Sequence, residues 1–396
     1  MNSLLPNDRK TNVIEALAGG WVADAASLGL HWLYDSDRIL EVGGAHPEFL
    51  PPKAEYFQGG FGYFAHGGKQ VGDTSHYGAA TGVLTGSLLA SQGHLDIRDY
   101  QRRFRAFFGP GGEWRGYIDN PTRVTLYNLN SIEQTAIEEA QATTSVGLTD
   151  QQKRILVQKV LPYTRYLSGD QLAEPVRKAI DLTYHETEVQ EAGVHLAETI
   201  DHHLLPESGA NDMQLPAVSK LPPLVACYCG RDDLLEKAEA AVRVTNHNDE
   251  AVAWAKCATI LLDRLFQGMR MSEALDSATL EAPDPGRLNR AGSGDHLDAA
   301  GAGDIFGRTC YLNEAMPVII HILSHARSYR EAICANIQCG GDSCGRAWII
   351  GPAMAAIHGV GGECGIPLSW LARVTDAPSI LEDIETLVNR TWSVSS

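Results

Sequence analysis

The stretch "CGGDSCGRAWIIGPAMAAIHG", residues 339–359, decides how the rest of the chain is read. Gly340, Gly341 and Asp342 run straight into an apolar segment whose spacing predicts a buried helix. One Ser or Asp would be enough to start that helix, so the paired glycines imply a close approach to the backbone. A helix start also offers N–H groups at the positive end of the dipole, where an anion or a metal-bound carboxylate can lie. The plainer reading is that the glycines end one helix and Asp342 or Ser343 caps the next. Spacing alone leaves both open. Pro352, inside the second helix, predicts a lost hydrogen bond and a kink.

Working outward, "SYREAICANIQCGG" places Ser328 and Glu331 in capping-box spacing ahead of a helix that stops at the glycines. "NDEAVAWAKCATILLDRLFQG" has acids in its first turn, Val252, Ala255, Thr259, Leu262 and Phe266 on one face, and Gly268 at its end. Residues 13–34, 96–108, 151–168 and 174–204 also carry helical periodicity, and Asp96 is an N-cap candidate. "LPAVSKLPPLVACYCG" reads as a Pro-bounded turn followed by a short apolar helix. No segment alternates convincingly as a strand. The expected fold class is all-α, a compact multi-helix bundle with no substantial sheet, in a single domain over 1–396. Two Gly- and Pro-rich stretches, 41–78 and 282–308, read as loops, and loops that long are functional or disordered. The aromatics in the first argue for order.

The chain of 396 residues is 44% hydrophobic and 20% charged, with a formal net charge of −17. Nucleic-acid affinity rests on cations that neutralise phosphates, so no nucleic-acid partner is expected. Eight cysteines show no CxxC metal spacing. The N-terminus lacks a signal-peptide pattern, and the uncharged apolar runs look too short to span a membrane. The expectation is a reduced, cytoplasmic protein with no membrane partner; a homo-oligomer is compatible with the sequence.

Candidate chemistry sits in three places. In "GKQVGDTSHYGAATGVLTGSLLAS", 68–91, Asp73 and His76 are spaced for an acid–base pair or a metal, and capping explains Asp73 equally well. Asp24 lies in an apolar helix, where a carboxylate has to be paired, metal-bound or at an end. His31 follows in "HWLYD", as a core histidine or a catalyst. The third place is Asp342 itself.

These segments, in this order, resemble the ADP-ribosylglycohydrolase family, all-helical hydrolases that use two magnesium ions. The family opens with a first helix of the form GxxxGDALGxPxE, where this chain has "GGWVADAASLGLHW". Its internal Thr-Asp-Asp-Thr helix start falls at "SHYGAAT". Its terminal Gly-Gly-Asp-x-Asp-Thr falls at "GGDSCG". "GYIDNPTRVTL", "LPAVSKLPPLVACY" and "AVRVTNHNDEAVAWA" look more like a divergent branch that includes the J-type crystallins and selenoprotein J. The likeness spans about residues 13 to 360.

Carried across by position, Asp342 matches the first aspartate of the terminal metal motif and Asp24 keeps its place. Cys344 and Gly345 stand where the second aspartate and threonine would be. Gly78 and Ala79 replace the tandem aspartates, with Asp73 several residues too early, and His31 replaces a glutamate. The resemblance implies magnesium, but a thiol and glycines cannot replace its oxygen ligands. No metal ligand is therefore assigned. The expectation is hydrolysis of an ADP-ribosyl or related glycosidic bond on a nucleotide-sugar-like small molecule. Asp342 and Asp73 would act as carboxylates, His76 and His31 as proton carriers, and Asp24 as an orienting group. Gly340, Gly341, Ser343, Tyr77 and Gly78 would contact the ligand. One rival reading is a non-catalytic, crystallin-like or ligand-binding protein that keeps the fold. Another makes Cys344 a nucleophile rather than a buried structural thiol.

Overall fold

The computed structural model describes residues 6–143, 147–164, 167, 169–203, 208–294 and 297–392. Among them there is no β-strand, only isolated bridges such as Leu33 with Gly62 and Gln214 with Tyr311. The chain is all-α, as expected.

Two helices form the centre, Pro6–Ser27 and Ser343–His358. Small residues let them touch at backbone distance. A Cβ on Gly351 would lie 2.4 Å from the Gly19 carbonyl oxygen, and one on Gly19 would lie 2.6 Å from the Ala355 Cβ. Trp21 and Trp348 close the contact edge to face at 5.1 Å. The Tyr329 hydroxyl donates to the Gly19 carbonyl at 2.5 Å. Around this pair, helices His76–Ala90, Asp249–Phe266 and Tyr329–Cys339 are among those that build the main hydrophobic core. A second, smaller apolar cluster, with Leu156, Val160, Val176, Ile180 and Ile200 among its members, joins the helices Asn120–Thr143, Asp150–Thr164, Ala173–Asp181 and Thr187–His203.

The caps follow the sequence. Asn248 accepts from Ala251 N–H at 2.9 Å, and Asp96 from Asp99 N–H at 3.0 Å. Ser328 accepts from Glu331 N–H at 3.2 Å, while the Glu331 carboxylate accepts from Arg327 N–H at 2.8 Å. The box thus closes one residue earlier than the motif implies. The helix 343–358 runs on through Pro352.

Four expectations change. The first helix begins at Pro6 and stops at Ser27, not at 34, because Leu28–Leu30 tightens into a 3₁₀ turn. The segment 174–204 is two helices, broken between Asp181 and Thr187. The stretch 282–308 is not a plain loop. It holds helices Pro285–Gly292 and Ala299–Phe306, capped by Asp284 and Asp298; residues 295 and 296 lie outside the description. Finally, Arg9–Leu30 is long and apolar enough to cross a membrane by length and composition, but it is mostly buried inside the protein as a core helix.

Candidate functional site

The glycines at 340 and 341 are answered by the chain itself. Both have positive φ, +79° and +69°, a region that favours glycine. Gly341 N–H donates to the Leu33 carbonyl at 2.8 Å, and Trp32 N–H donates to the Gly341 carbonyl at 2.8 Å. A Cβ on Gly341 would sit 1.9 Å from the Arg308 carbonyl oxygen. What comes close is therefore the 31–34 turn and the Arg308 backbone. The N–H groups that the sequence offered to a ligand are engaged: Gly340 with Ile337 O, Ser343 with Gly341 O, and Asp342 with Arg308 O. Arg346, fully buried below, ties Asn336 and the Gly340 carbonyl together.

This turn delivers His31 to the start of the late helix. His31 Nδ1 accepts from Cys344 N–H at 3.2 Å and lies 3.7 Å from Asp342 Oδ1. Asp342 caps the helix through Gly345 N–H at 3.0 Å and receives the Tyr77 hydroxyl at 2.5 Å. Asp24 reaches from the first helix to the next helix start, where its Oδ2 accepts Ser75 N–H at 3.0 Å and Gly78 N–H at 3.1 Å. Its Oδ1 has no partner. Ser75 caps that helix through Tyr77 N–H, which aims His76 and Tyr77 inward. His76 Nε2 stands 3.3 Å from Asp119 Oδ2. Asp119 in turn caps its own helix through Thr122 N–H at 2.7 Å.

The site therefore unites Asp24, His31, His76, Tyr77, Gly78 and Asp342. It does not include Asp73, which closes a surface turn through Gln70 N–H at 2.9 Å and the Thr375 hydroxyl at 2.8 Å. Four participants escaped the sequence reading. His66 lies on the 41–78 loop, buried, with both ring nitrogens unpartnered. Its only signal was the aromatic surround "GYFAHGG". Asp119 sat in plain view in the quoted "GYIDNPT", as an Asp before Asn-Pro-Thr. Arg346 and Trp32 gave none. Trp32 takes φ +65°, a conformation that is strained for a bulky residue. It stacks on His31 at 4.4 Å, with Tyr117 edge-on at 4.8 Å.

The loop is pinned over the site by its own backbone: Tyr34 N–H to Phe61 O at 2.8 Å and Tyr63 N–H to Trp32 O at 3.0 Å. Burial then sets the charges. It raises the carboxyls of Asp24 and Asp342 above their ordinary range, against the hydrogen bonds they accept. It pushes His31 well down and His66 down to about 3, helped by neighbouring histidines. Burial opposes the ionisation of Asp119, but His76 and Thr122 outweigh it and hold that carboxyl low. Burial also drives the Cys344 thiol far up, and its Sγ–H donates to the Asp24 carbonyl at 3.6 Å. This is a core thiol, not a nucleophile.

Beside this centre an open groove of about 610 Å³ runs along helix 76–90 from Gly78 to Gly86, walled by Trp21, Arg102, Arg103 and Phe107. The centre thus sets buried carboxylates against two helix starts in an all-helical fold. The family model described as ADP-ribosylglycohydrolase matches residues 5–396, and the chain belongs to that family. It is 25% identical over 381 residues to crystallin J1A of Tripedalia cystophora, covering 94% of each chain. Crystallin J1B of the same organism is 23% identical, covering 93% of each. A solved structure titled as an ADP-ribosylglycohydrolase-related protein complex superposes with a TM-score of 0.59 over 97% of this chain and 99% of that one, at 16% identity. That likeness bears on the fold.

Proposed function

We propose that the protein is a magnesium-independent hydrolase of an ADP-ribosyl or related glycosidic bond, working at the histidine–carboxylate centre. The observation that carries this reading is the set of buried imidazole nitrogens and the Asp24 oxygen left without hydrogen-bond partners. Each such group costs roughly 1–3 kcal/mol when buried unpaired. A protein that needed only a stable fold gains nothing from keeping several of them under a pinned loop.

The donors do not fit a magnesium pair. Asp342 spends one oxygen on Tyr77 and the other on Gly345, and Asp24 spends one on two N–H groups. The remaining neighbours are imidazoles, a thiol, glycines and the Asp119 carboxylate, which His76 and Thr122 engage, whereas magnesium takes several hard oxygen ligands in near-octahedral geometry. The groove meets the centre at Gly78, and its arginines and aromatic wall suit a nucleotide-sugar-like ligand. Asp342, with its raised carboxyl, suits the acid.

The test is release of ADP-ribose from a panel of N- and O-linked ADP-ribosyl conjugates without magnesium. Asp342→Asn keeps the helix cap and is expected to lower turnover at least about a hundredfold with an unchanged circular-dichroism spectrum. Full turnover in that variant removes Asp342 from the chemistry. The alternative, a non-catalytic protein that keeps the fold, draws on the crystallin names of the two matched relatives. Absence of turnover on the whole panel would favour it.

A further inference from the structure

His31, His66 and His76 come from three separate parts of the chain: the turn after Leu28–Leu30, the aromatic loop, and the first residue of helix 76–90. All three are buried, and each offers one nitrogen within 4.8 Å of the others'. His31 Nε2, His66 Nδ1 and Nε2, and His76 Nδ1 accept and donate nothing. Asp119 lies 3.3 Å from His76 Nε2, the outer-shell arrangement that orients metal-bound histidines, and Asp342 lies 3.7 Å from His31 Nδ1, which accepts from Cys344 N–H.

We propose that these three histidines bind one divalent ion of the zinc type. Imidazole suits zinc, cobalt or nickel and does not suit magnesium. Tetrahedral coordination at 2.0–2.1 Å places the nitrogens roughly 3.4 Å apart, so nitrogens now within 4.8 Å of one another close in on binding. With Nε2 of His31 on the metal, its Nδ1 proton turns to Asp342 and the Cys344 contact gives way. Three protein ligands leave a coordination position for water or substrate, as in catalytic rather than structural zinc sites. The inference concerns what the centre holds, and it stands whether or not the substrate is a glycosidic bond.

The full chain, stripped with a chelator, is loaded with Zn²⁺ or Co²⁺, desalted and assayed for metal. His66→Ala removes one ligand from a loop without touching the helix caps, and His185→Ala, on an exposed ring, serves as the control. One ion per chain is expected in the wild type and the control, undisplaced by excess Mg²⁺. His66→Ala is expected to bind at least about tenfold more weakly. X-ray absorption of the zinc-loaded wild type, which needs no variant, is expected to find three imidazole nitrogens at about 2.0–2.1 Å. Equal retention by His66→Ala, substoichiometric metal in the wild type, or a shell of oxygens or sulfur would each overturn the proposal.

Discussion

Lys220 shows what a single residue can cost. It is buried, bonded to the Thr245 hydroxyl, and sits near Asp119. Burial pushes its ammonium down to about 7, and Asp119 offsets this only in part. Unfolding restores the ordinary value near 10.5, so between pH 7 and 10.5 the unfolded chain binds more protons than the folded one. Stability therefore rises with pH across that window, and the penalty is fully present below it, at roughly 1.4 kcal/mol per unit. Lys220→Met is expected to raise the denaturation midpoint at neutral pH and to flatten the rise toward pH 10. Thr245 keeps Asn246 as a partner. A variant less stable than the wild type at pH 7, or one with the same pH slope, would contradict this account. The sequence carried "VSKLPPL" in full view, yet nothing in its spacing marks Lys220 as buried. Residues such as His66 and Trp32 were equally silent, because their meaning depends on which distant segments fold over them.

At the scale of elements, the junction of helices 329–339 and 343–358 fixes the site. Its glycine pair allows the 31–34 turn to dock, and that turn carries His31 and Trp32. Gly341→Ala meets both a positive φ and the Arg308 carbonyl, so it is expected to destabilise by more than about 2 kcal/mol. Urea denaturation measures this, and a loss below about 0.5 kcal/mol would mean that the junction relaxes. The elements were largely legible: periodicity and the caps at Asp96 and Ser328 placed their helices. The loop expected at 282–308 failed because its glycines and alanines hid two short helices, each started by an Asp cap. Of the two readings left open at 340–343, capping holds and free N–H groups do not, for a different reason. A helix start advertises its donors in the sequence, but which acceptor takes them is decided by tertiary packing.

At the scale of the molecule, the order of the motifs along the chain identified the architecture better than any one of them did. The site was half legible. The family's positions led to Asp24, His31, Tyr77 and Asp342, while Asp73 was drawn in by its closeness in sequence to His76 and belongs elsewhere. The account's central claim is that this fold has a working centre in which imidazoles have taken over from magnesium. Isothermal titration of ADP-ribose into the wild-type protein, once in magnesium-free buffer and once with magnesium, tests it most directly. The account predicts saturable binding with the same affinity in both. Binding that appears only with magnesium, or no binding in either buffer, would contradict it.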